Sequence, residues 1–431
     1  MIRILATVVA VAALLGVATL GAPPHASDAG ASASVEVDPV RQAAVCPGPL
    51  VIPVGSISSG DEDLDSGSSD VTIAVTPEGT ALGEGTSVDS PQAVSVERVG
   101  GGDIAGLAGI GCTTPAREQW LVGGSTTVGS SSRLVLSNPT ASAVRAQVEL
   151  FGPVGAVEDV RSVLVGPQSQ EALLLESVAA QLPALAVRVT AGGAGVVAAL
   201  QDSRLDGFVA AGTDWVGPTL MATDQAVPIA GPSAEGAQAT LTLLALDDAD
   251  VFLSLVSSDG EQSWLGEDGL ELEGGVVTEV QVPLVDLAAV RIESSTPVAA
   301  GARVLVPRES AIDEDRTALD HAWTAAQELG DTRERALVVP EGDITLVAYG
   351  PEGGTLTAQA GDEQVTLDTA EFGVGSVALD VAAGTVLSST DAFAWAIVVE
   401  DREAGFVTTI EPVTTELTAT TVEATVGVYT P

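Results

Sequence analysis

One strand motif occurs three times along this chain of 431 residues, at intervals of about 100 residues. The copies are ALAVRVTAGGAGVVAAL (184–200), LAAVRIESSTPVAAGARV (287–304) and SSTDAFAWAIVV (388–399). Solenoid repeats are shorter, about 20–50 residues, whereas a β-sandwich domain holds about 100. The repeat therefore predicts an all-β chain of tandem antiparallel, immunoglobulin-like β-sandwich modules.

The residue pattern within the repeats supports this fold class. In the segment RLVLSNPTASAVRAQVELFGPVG (133–155), Val144, Ala146 and Val148 alternate with polar residues. A period of two is typical of a strand with one buried face. Turn-forming residues separate such segments throughout the chain, as they do in sandwiches. Beyond the N-terminal segment, helical periodicity is weak, and residues 317–329 are the best candidate for a short helix.

These features predict five segments. Residues 1–33 are a signal peptide or N-terminal membrane anchor with a linker, and residues 36–115 form a small β unit closed by a disulfide. The three sandwich modules cover residues 116–225, 226–332 and 333–431.

The N-terminus carries an export signal. Arg3 precedes an uncharged apolar run over residues 4–22, the pattern of a signal peptide. The run is also long enough to span a bilayer as a helix. Pro23 and Pro24 disfavour cleavage directly after the run, whereas small residues at 29–33 permit it slightly downstream. Cleaved export and a retained anchor both remain open, and both predict an extracellular or cell-envelope location.

The two cysteines of the chain, Cys46 and Cys112, agree with export. An even number of cysteines in an exported protein favours a disulfide. Two cysteines cannot make a zinc site by themselves, and no Cys-X-X-Cys redox pair occurs. We predict a Cys46–Cys112 disulfide.

The charge balance excludes nucleic acid as a partner. The chain has 59 acidic residues against 16 basic ones, a formal net charge of −43, and every basic residue is an arginine. Binding to DNA or RNA requires a basic surface that neutralises phosphates. Because 46% of the residues are apolar, the chain can still fill several hydrophobic cores.

Three tryptophans, Trp120, Trp215 and Trp323, fall close to the predicted module boundaries. Aromatic residues make up only 3% of the chain, so their recurrence at equivalent places indicates a role. We predict that each indole packs one module against the next, with its N–H bonded at the interface. A carbohydrate-stacking platform is the alternative.

No catalytic constellation is evident, and we predict neither enzymatic activity nor a cofactor. His321 stands beside Asp320, but no Gly-X-Ser-X-Gly nucleophile turn accompanies them. The acidic loops are the remaining metal candidates, and we expect them to be solvated, with weak calcium binding as the alternative. The candidates are Asp61, Asp63 and Asp65, spaced as in a calcium loop but with Thr72 at the closing glutamate position, and Asp247, Asp248 and Asp250.

The chain resembles a family of exported or membrane-anchored actinobacterial proteins that is a domain of unknown function. The resemblance is carried by Cys112 with Trp120, by LVLSNPTASAVRAQVELFGPVG (134–155), ALAVRVTAGG (184–193), TDWV (213–216), AAVRI (288–292) and AWTAA (322–326). It implies tandem β-modules in the cell envelope and carries over no catalytic residue.

From these features we predict a non-catalytic scaffold or interaction protein of the cell envelope, with an envelope protein or glycan as partner. Two alternatives remain open. One is a carbohydrate-binding accessory protein of envelope assembly, and the other is an adhesin-like stalk rigidified by calcium.

Overall fold

The described part of the chain folds almost entirely as antiparallel β-strands, which confirms the predicted all-β class. A computed structural model describes residues 32–37, 43–51, 71–75, 79–89, 92–207, 209–230, 236–257, 260–265, 269–283, 287–309, 317–414 and 420–425. The chain divides into a terminal unit, residues 1–41 with 417–431, and a main unit, residues 42–416. In the terminal unit β1 (Ser32–Val37) pairs antiparallel with β36 (Thr420–Thr425).

The main unit consists of four consecutive repeats with a shared strand plan. Repeat I (44–113) contains β2 (Ala44–Cys46), β3 (Val71–Val75), β4 (Thr80–Leu82), β5 (Gly85–Val88), β6 (Val94–Val99) and β7 (Gly106–Gly111). Repeat II (118–219) contains β8 (Glu118–Val122), β9 (Ser130–Asn138), β10 (Val144–Gly152), β11 (Gly155–Ala156), β12 (Arg161–Val165), β13 (Ser169–Leu174), a 3-10 turn (Leu175–Ser177), β14 (Ala186–Ala191), β15 (Val197–Asp206), β16 (Val209–Val216) and β17 (Pro218–Thr219).

Repeats III and IV follow the same plan. Repeat III (222–328) contains β18 (Ala222–Ala230), β19 (Gln238–Ala245), β20 (Ala249–Ser257), β21 (Gly260–Ser263), β22 (Leu270–Leu272), β23 (Val277–Val282), β24 (Leu287–Glu309), β25 (Thr317–Ala325) and β26 (Gln327–Glu328). Repeat IV (335–414) contains β27 (Arg335–Val338), β28 (Asp343–Gly350), β29 (Gly354–Ala360), β30 (Glu363–Thr369), β31 (Gly373–Ala378), β32 (Val386–Ser389), β33 (Ala394–Asp401), β34 (Phe406–Ile410) and β35 (Val413–Thr414).

Each of repeats II, III and IV has two strand layers, as a β-sandwich does. In repeat II the strand orders are β12–β10–β14–β8–β17 and β13–β9–β15–β16, and in repeat IV they are β30–β29–β32–β27–β35 and β31–β28–β33–β34. Repeat III has the same two orders, but the 23-residue strand β24 belongs to both layers. Its first half pairs with β18 and β20, and its second half pairs with β19 and β25.

Repeat I is a smaller version of the plan. Its described residues form two three-stranded sheets, β2–β5–β4 and β3–β6–β7. The predicted disulfide is present and joins Cys46 on β2 to Cys112, directly after β7. Both sulfur-bearing residues are buried in a small cluster with Ala44, Val88 and Ala93. Other described apolar residues of repeat I, such as Val96 and Ile110, pack into clusters shared with repeats II and IV, so the covalent bond adds a link within the repeat itself.

The last long strand of each repeat lies at the centre of the main unit. Strand β7 contacts β16, β16 contacts β25, β25 contacts β34, and β34 contacts β7. We call these four the axial strands. The four repeats thus close into a ring around them, a radial arrangement that β-propellers also use to protect their strand edges.

The candidate helix at residues 317–329 is wrong, because this segment forms β25 and β26. Strand β25 has neighbours on several sides, and five consecutive residues from Asp320 to Thr324 are buried. A strand buried on both faces does not alternate between apolar and polar residues. The period-of-two signal was therefore missing from the sequence.

Glycines allow the axial strands to approach one another closely. A Cβ atom on Gly109 of β7 would stand 2.9 Å from Ile410 Cγ1 and from Thr408 Cγ2 of β34. On Gly212 of β16, whose φ is +99°, it would stand 2.7 Å from the Asp320 Oδ1 atom of β25. These contacts are too short for any larger residue, so glycine is required at both positions.

Replacing both cysteines with serine should lower the free energy of unfolding by about 4 kcal/mol, because the bond closes a 66-residue separation and so restricts the unfolded chain. Chemical denaturation of the exported protein would measure the difference. The wild type treated with a reductant serves as a second route to the same state. An unchanged denaturation midpoint in both samples would contradict the predicted contribution.

Candidate functional site

A single carboxylate links the axial strands of all four repeats. Asp214 of β16 accepts hydrogen bonds through Oδ1 from the Gly109 amide of β7, at 3.0 Å, and from the Thr408 hydroxyl of β34, at 2.9 Å. Its Oδ2 accepts one from the Trp323 amide of β25, at 2.8 Å. Asp214 is fully buried. Burial raises the pKa of Asp214 well above its ordinary value, and the amides of Trp323 and Gly109 oppose this rise.

A second buried carboxylate lies further along the same axis. Oδ2 of Asp320 accepts a hydrogen bond from the Val407 amide of β34, at 2.8 Å. Its Oδ1 occupies the space left by Gly106 and Gly212 and has no hydrogen-bond partner among the described residues. Burial raises the pKa of Asp320 to about 8, against the opposing effects of the Val407 amide and the Arg308 guanidinium. Asp320 is therefore uncharged in the folded protein at neutral pH.

A histidine and a third aspartate lie beside these two. Asp202 of β15 accepts hydrogen bonds through Oδ2 from the Trp323 indole, at 3.0 Å, and from Arg204 Nε, at 2.9 Å. The same oxygen is 3.5 Å from His321 Nε2, while His321 Nδ1 lies 3.1 Å from the Ala211 carbonyl oxygen. Because a carbonyl can only accept, Nδ1 carries a proton. Burial lowers the pKa of His321.

The His321–Asp202 pair does not have the geometry of a hydrolase dyad. His321 Nε2 has no hydrogen-bond partner among the described residues, so no hydroxyl or thiol stands there as a nucleophile. Both side chains have no exposed surface. The pair instead contributes to the packing of β25 against repeat II, together with the Trp323 indole.

An open cavity of about 300 Å³ lies where the axial strands end. Each repeat contributes the segment that directly follows its axial strand, represented by Thr113, Thr219, Gln327 and Glu411. In repeats II, III and IV this segment contains a two-residue strand that pairs with the first strand of its own repeat. We call this cavity the axial pocket. All four repeats are needed to form it.

Glu411 is the ionisable residue of the axial pocket with the most perturbed environment. Its Oε1 accepts a hydrogen bond from the Ala325 amide at the end of β25. Burial raises the pKa of Glu411 to about 7, and the Ala325 amide opposes the rise. Near neutral pH, a small change in surroundings is therefore enough to change its charge.

Two arginines also line the axial pocket, and both are bonded to neighbouring protein groups. Arg333 forms two hydrogen bonds to the Asp331 carboxylate, at 2.9 and 2.8 Å. Arg335 is 5% exposed and donates to Gln327 Oε1, at 3.0 Å, and to the backbone carbonyl of Phe393. Burial lowers the pKa of Arg335. Both guanidinium groups are therefore already bonded to groups of the protein.

A model for a family of unknown function (DUF5719) matches residues 68–390, which is more than half of the chain. The chain belongs to DUF5719. The matched residues include the axial strands β7, β16 and β25, whereas β34 and Glu411 follow them. No curated protein and no solved structure was found to be similar. The DUF5719 match therefore supports shared ancestry for most of the ring and assigns no activity to it.

The three tryptophans singled out from the sequence are all buried, with 3–5% of each exposed. Trp120 lies on β8 and packs against Phe151, near residues of repeat III. Trp215 lies on β16 and packs against a cluster from repeat I, and Trp323 on β25 packs into the core of repeat II. Each indole is enclosed between two repeats and offers no face for stacking on a sugar.

The acidic loops show no metal site in the part of the chain that the structure describes. No group of three or more histidine, cysteine or acidic side chains there has the arrangement to hold an ion. Asp248 accepts a hydrogen bond from the Gly274 amide, and the Asp250 amide donates to Ser295 Oγ. Asp247 precedes them in the same turn, and Asp61, Asp63 and Asp65 lie outside the described residues.

The N-terminal apolar segment also lies outside the described residues, so its predicted role as signal or anchor stays a prediction. Within the described ranges, no helix has the length and hydrophobicity needed to cross a membrane.

The axial residues were only partly visible in the sequence. The pair Thr213-Asp214 stands directly before Trp215, and Asp320-His321 stands one residue before Trp323, which marked their segments as equivalent. Nothing in the sequence showed that these segments meet at one axis. Glu411 carried no signal among 59 acidic residues, because its environment comes from other repeats.

Replacing Asp214 with alanine should lower the free energy of unfolding by about 3–5 kcal/mol, because three buried donors lose their acceptor at once. Asp214→Asn should have a smaller effect, since its amide oxygen still accepts. The exposed Asp362→Ala is the matched control. Urea denaturation would measure all three, and equal midpoints for D214A and D362A would exclude the hub role of Asp214.

The stability of the ring should fall as the pH rises from 6.5 to 8. The folded pKa of Asp320, about 8, is above the ordinary aspartate value, so its uncharged form stabilises the fold at low pH. The contribution of Asp320 to the free energy of unfolding decreases by about 1.4 kcal/mol per pH unit until the pH passes 8. Burial lowers the pKa of His321, so His321 adds a smaller change of the opposite sign near pH 6.5, where the unfolded histidine loses its proton, and little above pH 7.5.

Asp320→Asn keeps an acceptor for the Val407 amide but removes the titration, so its stability should depend less steeply on pH than that of the wild type. Asp362→Asn should keep the wild-type slope. Denaturation midpoints across the window would give both slopes. An unchanged slope for D320N would show that Asp320 is already ionised in the folded ring.

Proposed function

We propose that this DUF5719 protein is a non-catalytic interaction protein of the cell envelope, exported or membrane-anchored, that holds a partner at the axial pocket. One observation carries the proposal. The groups with catalytic chemistry, Asp202, Asp214 and His321, are sealed inside the ring and bonded to its strands, whereas the pocket at the end of the axis is open. The open site combines segments of all four repeats.

Export is supported by the N-terminal sequence pattern and by the Cys46–Cys112 disulfide, since such bonds persist in oxidising compartments. The high negative charge supports solubility outside the cell and disfavours binding to anionic surfaces. Of the two alternatives, the glycan-binding one loses its stacking platform because the tryptophans are buried. A closed ring gives no support to an adhesin-like stalk.

Affinity purification of the full-length protein from its own host should yield one stoichiometric partner. Leu220 at the pocket is 54% exposed, so Leu220→Arg alters the pocket without disturbing a core. We expect this variant to lose the partner by perturbing the site, and Val154→Arg, at a position 93% exposed away from the pocket, to retain it. Recovery of no partner, or of equal amounts with both variants, would contradict the proposal.

A further inference from the structure

The surface of the axial pocket is largely apolar, although most of its lining residues are polar or charged, and its volume is small. Pro218, Leu220, Ala326, Pro412 and Val413 contribute to the lining. A volume of about 300 Å³ lies at the lower end of the range found for small-molecule sites, about 300–1,000 Å³. The pocket therefore has room for a short aliphatic chain that carries a polar group.

The charges that face this space are mainly negative. Glu118, Glu328, Asp331 and Glu411 line the pocket, against Arg333 and Arg335. Asp331 is paired with Arg333, and Glu118 is paired with Arg188 outside the pocket. Among the described residues, Glu328 and Glu411 form no ion pair with an arginine or histidine. Two carboxylates therefore remain against one guanidinium, that of Arg335, which is buried and bonded to neutral oxygens, so the charge left in the pocket is negative and favours a cation.

Glu411 is the acid best placed to bind that cation. It is half-buried at the end of the axis, beside aliphatic side chains, and its Oε1 accepts a hydrogen bond from the Ala325 amide. The protein cannot supply the cation from a lysine of its own, because the chain has none. A compact ammonium on a flexible stem matches the small volume better than the wide, planar fork of a guanidinium.

We propose that the axial pocket binds a primary ammonium group carried on an aliphatic stem, with the ammonium on the Glu411 carboxylate and the stem along the apolar walls. The inference rests on the proposed function, since it names the chemical group by which a partner would be held. The chemistry is that of a lysine side chain or of a small alkylamine. The field of a chain with net charge −43 attracts either one.

Protonation of Glu411 gives the interaction a pH dependence. An ammonium binds the ionised carboxylate, and burial holds the pKa of Glu411 at about 7. Below pH 7, binding must therefore release a proton to solvent. Of the other acids and bases of the pocket, Arg333 and Asp331 are paired with each other and Arg335 is bonded within the fold. Glu118 and Glu328 are exposed acids.

The inference can be tested by calorimetric titration of the full-length protein at pH 8 with Nα-acetyl-lysine N-methylamide. The norleucine analogue, which has the same stem without the ammonium, is the matched control ligand. We expect the lysine derivative to bind at least about tenfold more tightly than the norleucine analogue. Its affinity should fall by about tenfold per pH unit below pH 7. Equal binding of the two ligands, or binding of neither, would overturn the inference.

Variants of Glu411 and Leu220 test whether the ammonium binds at Glu411. Glu411→Gln keeps an acceptor for the Ala325 amide but removes the charge, so it should bind the lysine derivative about tenfold more weakly and lose the pH dependence. Leu220→Arg and Leu220→Glu change one exposed position, so they test the same point without a risk to folding. The arginine variant should weaken binding and the glutamate variant should strengthen it. Equal affinities for these two variants would overturn the inference.

The source of the ammonium is distinguished by two further ligands. A pentapeptide with a central lysine should bind more tightly than the single-residue derivative if the pocket receives a protein side chain. Butylamine should bind as tightly as the derivative if the natural ligand is a small amine. If the full-length protein binds none of these amines but still retains its host partner, the ammonium assignment is refuted and the proposed function is intact. If it binds the amines but no host partner is recovered, the proposed function is refuted and the amine site remains.

Discussion

The ring depends on the hydrogen bonds of Asp214. Its two carboxylate oxygens accept from three strands, β7, β25 and β34, while the residue itself belongs to β16. Apolar contacts between the repeats are non-directional and would allow neighbouring repeats to slide or rotate. Three donors aimed at one carboxylate permit a single arrangement. The hub thus fixes the register of four repeats whose apolar clusters extend from one repeat into the next.

Such a hub needs space and a dry environment, and the same strands provide both. Gly106, Gly109 and Gly212 allow the backbones to approach until the carboxylates of Asp214 and Asp320 fit between them. Burial then raises the pKa of both acids. Toward the end of the axis the pocket is open to solvent, and Glu411 has a smaller shift in pKa than Asp320. The carboxylates of Asp214 and Asp320, which lie deep in the ring, are therefore structural, whereas that of Glu411, at the open end of the axis, is accessible to a ligand.

The fold class could be predicted from the sequence because it depends on local patterns. Strand β10, which follows the turn at Asn138, shows alternating Val144, Ala146 and Val148, and the structure places those side chains in the core. The two cysteines likewise predicted their bond. Strand β25 was harder to predict from the sequence, because burial on both faces removes the alternation of apolar and polar residues that marks a strand.

The closed ring and its two sites could not be predicted in this way. Whether consecutive sandwiches form a row or a ring depends on contacts between β7 and β34, which are far apart in the sequence. The importance of Asp214 or Glu411 arises only when donors from other repeats surround them. Among 59 acidic residues, neither differs in type or in local pattern from the solvated ones.

The meeting of β7 with β34 also determines when the molecule can become complete. Gly109 and Thr408, which share the Asp214 carboxylate, are separated by more than two thirds of the chain. Contacts between such distant segments form late and slowly, because a long loop must close before they contribute. A chain that emerges from its N-terminus can build repeats I to III in turn, yet their inner strands remain exposed until the last repeat arrives. The insertion of β34 therefore completes the ring, and it is the slowest step of assembly.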